Sequence, residues 1–291
     1  LTSMQEGMLF HYLSNPHSKQ YFEQIRLTLS GEMDVQRFKD AWGIVAEGNE
    51  ILRGVFRWEK LEEPVQIILK RKEIPIRVTD FSMENPVDQE SPGKQQNLEK
   101  MEVRAALLEK LIEEDKNQPI DLTREPFRIT LSRMKEHESE MLLTFHHILF
   151  DGWSSGILLR EFLQVYDSLG RGEIPAVVPK TKYLEFFKWY QDTQTQHARS
   201  QREFWKKYLE GFDTRTLLPY DRNKLAEIQR VNTHHFEIPL RMKERLEACA
   251  QENNITLSAL LYAGWGILLQ RNSLVSLYRA TKTLLLRNVW E

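Results

Sequence analysis

Apolar positions in this chain follow two rhythms that take turns from the N-terminus onward. Met4, Met8, Leu9 and Leu13 recur at helical spacing behind Thr2 or Ser3 as a cap, which predicts an opening helix. Phe22, Ile25, Leu27 and Leu29 then approach period two, a strand that Gly31 ends. Phe38, Trp42, Val45 and Ala46 return to one helical face, and "ILRGVFRWE" and "VQIILKRK" read as strands. Residues 85–97 are polar with two prolines and a glycine, and read as an exposed loop. Met101, Ala105, Leu108, Leu111 and Ile112 mark an amphipathic helix over residues 98–116, its Glu and Lys run a solvated face. "FRITLSRM" and "SEMLLTFHHILF" predict an antiparallel pair around "KEHE". A helix follows on Ile157, Leu158, Phe162, Val165 and Leu169, with Gly170 as its stop. Farther on, "HHFEIPL" reads as a short strand, and "MKERLEACAQENN" and "TLSALLYAGWGILLQR" as helices. The order is mixed α/β (α+β), without internal repeats.

One strand breaks the pattern. "LLTFHHILFDGWSSG" sets His146 and His147 side by side in an apolar run, with Asp151 and Gly152 just beyond. Neighbours on a strand point to opposite faces, so His147 shares a side with Phe145, Leu143 and Met141, and His146 shares the other with Thr144 and Leu142. They cannot both ligate one metal. A strand apolar on both faces is covered on both, which half-buries each imidazole. The Asp-Gly turn leads into a helix N-terminus, whose free N–H groups and dipole favour negative charge. Imidazole, carboxylate and amides thus converge at one strand end. The bland alternative is a pair of hydrogen-bonded core histidines.

Composition narrows the partners. Forty Lys+Arg against 42 Asp+Glu leave a net charge of −2, so no global field favours nucleic acid or a membrane. The single cysteine, Cys249, cannot form an internal disulfide and has no ligand companions. No run of about 18 apolar residues occurs, and the N-terminus lacks the features of a signal peptide. A reducing cytoplasm is the expected compartment. The absence of an initiator methionine fits either a piece of something longer or a processed or trimmed N-terminus.

His146-His147-Ile148-Leu149-Phe150-Asp151-Gly152 has the HHxxxDG form, and here the sequence resembles the condensation domains of nonribosomal peptide synthetases. Other blocks agree in order. "LTSMQEGMLFHYL" is similar to the family's opening helix motif and "GNEILRGVFRWE" to its second. "YLEFFKWYQ" is similar to the fourth, with Tyr183 and Trp189 in place and Glu185 where an aspartate is common. "MQEGMLFH" and "DGWSSGI" resemble most the subtype that takes a donor ending in a D-residue.

The resemblance implies a chloramphenicol-acetyltransferase-like two-layer sandwich lobe over residues 1–172, an incomplete second lobe of similar type over 173–271, and an atypical tail over 272–291. It implies that the amine of an acceptor aminoacyl thioester attacks a donor peptidyl thioester. Each substrate is tethered through phosphopantetheine to a peptidyl carrier protein, with an adenylation domain in the same or a neighbouring polypeptide, and no cofactor is bound directly. His147 is then the base or hydrogen-bond acceptor for the amine, and His146 is structural, bonding a backbone group near the turn. Asp151 orients the turn by pairing with Arg53, or alternatively Arg160, and the Gly152 amide supports the oxyanion. Since the family's later motifs cannot be located, one wall of the substrate tunnel is expected to be missing. Competing expectations are a non-catalytic carrier-docking module, an inactive truncated remnant of such a domain, and a coenzyme A acyltransferase of the same fold.

Two further features have plain readings. The pair His234 and His235 lacks a following aspartate and reads as surface or strand edge. The aromatics Tyr183, Phe186, Phe187, Trp189 and Tyr190 lack a basic stripe and read as packing between helix and sheet.

Overall fold

A computed structural model describes residues 1–15, 19–82, 94–175, 180–212 and 235–272. The chain divides into two compact units, Leu1–Gln194 and Thr195–Glu291, so the division falls inside a helix.

In the first unit, α1 (Ser3–Ser14) begins with a capping box in which Thr2 Oγ1 accepts from the Gln5 amide and the Gln5 side chain accepts from the Thr2 amide. Strand β1 (Phe22–Ser30) leads to α2 (Val35–Gly48), capped by Asp34, and a 3-10 helix at Glu50–Arg53. Then come β2 (Gly54–Arg57), β3 (Val65–Ile68) and β4 (Ile76–Asp80). Helix α3 (Lys94–Asn117) precedes β5 (Phe127–Lys135) and β6 (Glu138–His146). Helices α4 (Gly152–Gly170) and α5 (Tyr183–Tyr208) follow.

Four strands form one sheet in the order β1-β6-β5-β4, and β2 pairs with β3 in a separate ribbon. β6 is central, antiparallel to both neighbours, while β4 runs parallel to β5 at the edge. Sequence reading missed β4. Its burial is shallow, and Arg77, Thr79 and Asp80 interrupt the apolar signal to leave only Ile76 and Val78.

The two faces of β5 and β6 are both covered. Phe127, Ile129 and Leu131 of β5 and Met141, Leu143 and Phe145 of β6 join the main core with Phe38, Trp42 and Val45 of α2 and Leu158, Phe162 and Val165 of α4. Trp42 stacks on Phe162 at 4.7 Å between centroids. On the other face, Leu108, Leu111 and Ile112 of α3 meet Met134 and Leu142. Helices therefore lie on both sides of the central strands.

Beside Leu142 on that second face runs a buried polar chain. Arg128 Nε donates to Asp115 Oδ1 at 2.7 Å, and its Nη2 donates to the carbonyls of Asp115 and Gln118. Thr144 Oγ1 and Gln24 Nε2 donate to Asp115 Oδ2. Both oxygens of this carboxylate are thus engaged, the condition for a buried ion pair to hold.

The second unit contains the end of α5 together with α6 (Leu240–Glu252) and α7 (Leu257–Asn272). Residues 235–239 are irregular rather than the expected strand, and His234 and residues 273–291 lie outside the described residues, as does most of the 85–97 loop. Helix α3 begins at Lys94, earlier than the apolar spacing indicated. No described helix is long and apolar enough to cross a membrane.

Candidate active site

Strand β6 ends at His146, and His147 opens the turn that delivers the chain to α4. Three hydrogen bonds fix that turn from different directions. The His147 amide donates to the Tyr21 carbonyl at 2.8 Å, the Ile148 amide donates to His146 Nδ1 at 3.1 Å, and the Leu149 amide donates to the His146 carbonyl at 3.1 Å. Tyr21 holds φ +62°, a left-handed conformation costly for a residue with a Cβ, so its carbonyl is aimed by strain as well as by position.

The two histidines have separate environments. His146 is 2% exposed, between the rings of Tyr12 at 5.8 Å and Tyr21 at 6.0 Å. Because Nδ1 accepts from Ile148, the neutral ring carries its proton on Nε2. Burial, reinforced by the charge of His147, pulls this imidazole down from its usual 6.5 to about 4. His146 thus stays neutral near pH 7 and works as a backbone strut. His147 is half-buried, and its Nδ1 is enclosed with no hydrogen-bond partner among the described residues. His146 Nε2 is likewise enclosed without a partner among the described residues, so what separates the two rings is the half-burial of His147.

Asp151 departs from expectation. It is exposed and caps α4, its Oδ1 accepting from the Ser154 amide at 2.9 Å while its carbonyl accepts from Ser155. The bond from the Ser154 backbone holds its carboxyl below the usual range, with a smaller contribution from the charge of His147. Arg53 does not pair with it. The Arg53 guanidinium donates to the carbonyls of Ala46, Leu69 and Lys70 at 3.1, 2.9 and 2.8 Å, tying the end of α2 to the segment after β3. Arg160 is exposed on α4, and no ion pair joins it to Asp151 among the described residues. The physical reason is local: D-G-x-S is an N-cap pattern, and a carboxylate that caps its own helix needs no distant cation.

Gly152 is the first residue of α4, where backbone N–H groups have no intrahelical partner. A Cβ at this position would meet nothing within 4 Å, so the fold itself does not demand glycine here. Trp153 beside it is 87% exposed.

The aromatic cluster of α5 is not core packing: no residue of this helix is buried, and Trp189 is 62% exposed. Its first turns nevertheless dock by polar groups. The Tyr183 amide donates to Glu50, the Tyr183 hydroxyl donates to Gln5 Oε1 at 3.3 Å, and the Tyr190 hydroxyl meets Ser3 Oγ at 2.7 Å. Sequence reading missed Gln5, which is buried in α1 and donates from Nε2 to the Ile148 carbonyl at 3.2 Å. The T-x-x-Q capping pattern was visible, but it gave no sign of a contact to the histidine turn.

No group of three or more His, Cys, Asp or Glu among the described residues could hold a metal ion. What the site offers is one half-buried imidazole, a capping carboxylate and a helix N-terminus at the end of a central strand, on a chloramphenicol-acetyltransferase-like α/β lobe.

Comparison with known proteins assigns the family. The Condensation domain model matches residues 1–275, and the chain belongs to the condensation domain family. It is similar to tyrocidine synthase 2 of Brevibacillus parabrevis, 30% identical over 272 residues, covering 93% of this chain and 7% of that protein. Bacitracin synthase 3 of Bacillus licheniformis is 29% identical over 272 residues, covering 93% and 4%. The chain spans less than a tenth of the length of these two relatives. Among solved structures, the first condensation domain of the calcium-dependent antibiotic synthetase, in complex with a substrate analogue, superposes with TM-score 0.68 at 18% identity, over 94% of this chain and 60% of that one. That likeness shows the fold.

Proposed function

We propose that this chain forms an amide bond between two carrier-tethered substrates: the amine of an acceptor aminoacyl thioester attacks the carbonyl carbon of a donor peptidyl or aminoacyl thioester. A C–N bond forms, the C–S bond breaks, the amine loses one proton, and the donor thiol leaves with one. Aminolysis of a thioester is downhill, so the main demand is to hold two reactants in line, which supplies about 7–11 kcal/mol of the barrier. His147 accepts a hydrogen bond or the proton from the attacking amine, roughly a 10²–10⁴-fold contribution for a well-placed base. Asp151 fixes the start of α4 and favours the imidazolium that results. The Gly152 amide, at the helix N-terminus, stabilises the oxyanion.

The observation that carries this reading is the half-burial of the His147 imidazole, next to the fully buried and backbone-bonded His146, on a turn whose backbone is pinned. The phosphopantetheine arms belong to the substrates, on donor and acceptor peptidyl carrier proteins loaded by an adenylation domain, and the site asks for no cofactor of its own. The balanced net charge gives nucleic acid and membranes no role as partners. The single cysteine suits the cytoplasm.

The test is single-turnover transfer between two loaded carrier proteins, with the dipeptidyl product identified by mass. Product formation that His147→Ala removes supports the reading. Carrier binding without product supports a docking module, and transfer from free acyl coenzyme A at equal rate supports a coenzyme A acyltransferase.

A further inference from the structure

We infer that Gln5 is a positioning residue for His147, a clamp that holds the histidine turn at the Ile148 carbonyl. This rests on the reading of His147 given above.

Gln5 is 6% exposed, and its amide is fully engaged. Oε1 accepts from the Thr2 amide at 3.0 Å and from the Tyr183 hydroxyl at 3.3 Å. Nε2 donates to the Ile148 carbonyl at 3.2 Å and to Gln66 Oε1 at 3.1 Å. The orientation is unambiguous, because the Thr2 amide can only donate and the Ile148 carbonyl can only accept. One side chain thus joins the start of α1, the ribbon strand β3, the first turn of α5 and the Ile148–Leu149 peptide, one residue past His147.

The geometry of the turn makes that last bond decisive. The His147 amide is held by Tyr21 and the Ile148 amide by His146. The Leu149 amide is held by the His146 carbonyl, and the Ile148 carbonyl accepts from Gln5. Without that donor, a buried carbonyl is left unsatisfied and the Ile148–Leu149 peptide keeps only the bond from the Leu149 amide to the His146 carbonyl, which loosens the turn that carries the His147 side chain. The ribbon leaves room for the clamp because position 54 is glycine: a Cβ on Gly54 would lie 2.9 Å from Gln66 Nε2, 3.0 Å from the Ile51 carbonyl and 3.5 Å from Leu149 Cδ2.

Gln5→Glu separates the clamp from the cap in the full chain. Glutamate serves a capping box as well as glutamine does, so the start of α1 survives. It loses both donors and turns an oxygen toward the Ile148 carbonyl. Expected are a fall in kcat of about 10²-fold, the scale of a misplaced catalytic group, with KM for each carrier unchanged. The ratio of variant to wild-type rate should climb as pH is lowered toward the carboxyl's own range, about 4.3 in its reference state, since the acid form regains a donor. Tyr183, the titratable side chain in contact, has its hydroxyl pushed up by burial and stays protonated there. Independently of transfer, amide exchange at His147, Ile148 and Leu149 should quicken by about tenfold in the variant, with Leu143 in β6 unaffected. Gln5→Met, which lacks the charge, should quicken the same three amides. A variant with wild-type exchange in the turn, a rise in KM with kcat intact, or a rate ratio flat with pH would overturn the clamp. If wild type transfers nothing, the condensation reading fails, while the exchange measurement still decides whether Gln5 holds the turn.

Discussion

The two faces of β6 are built from the same strand and do different work. Met141, Leu143 and Phe145 point into the apolar core beneath α2 and α4, where any well-fitting hydrophobe would serve. The opposite face carries Leu142, Thr144 and His146, and Thr144 bonds the buried Asp115–Arg128 pair beneath α3. One face supplies burial, whereas the other supplies direction. The strand ends where the directed face delivers His146 as a strut, and the next residue, His147, stands half-buried.

The contrast breaks most severely at Asp115. Asp115→Ala leaves the Arg128 guanidinium buried without its carboxylate and should cost about 3–5 kcal/mol, read as a drop in the urea midpoint. Replacing Asp115 and Arg128 together by apolar residues should recover much of that loss. If the single and double variants are equally unstable, the pair is not the organising element of this face.

Next in size is a pH effect at His146. The unfolded imidazole takes up a proton near 6.5, whereas the folded one resists until about 4. Between those values the unfolded state binds more protons, so stability is full above 6.5, falls with falling pH, and levels off below 4. The amount is roughly 3 kcal/mol, at about 1.4 kcal/mol for each unit of difference. His146→Phe should flatten that part of a melting-temperature profile, and an unchanged slope would show that His146 is not the titrating strut.

The smallest effect belongs to Asp151. As an exposed N-cap it is worth about 1 kcal/mol to Ala, and Asn should serve nearly as well. A loss several times larger in either variant would restore the buried ion pair that the sequence led one to expect.

These cases show where sequence was legible. The β5–β6 pair, the capped helix after it and the apolar face of α2 are local patterns of period two and period 3.6, and all appear in the fold. The histidine motif carried the family as well, because spacing within seven residues is fixed by covalent geometry. What escaped depends on atoms far along the chain. The partners of Arg53 include carbonyls at Leu69 and Lys70, and that of Gln5 lies at Ile148; no local periodicity encodes either. The α5 aromatics misled for the converse reason, since composition cannot tell a buried ring from an exposed one. Asp151 could have been read correctly: its capping pattern is short, and the expectation of an ion pair overrode it.

The central claim is the division of labour between the neighbouring histidines, and paired variants test it in one experiment. Melting temperature and single-turnover transfer between two loaded carriers should be measured for His146→Ala and His147→Ala. The account predicts that His147→Ala keeps the wild-type melting temperature and loses transfer by roughly 10²–10⁴-fold, while His146→Ala melts earlier by about 1–3 kcal/mol of lost stability. Full transfer by His147→Ala, or equal destabilisation by both, would contradict it.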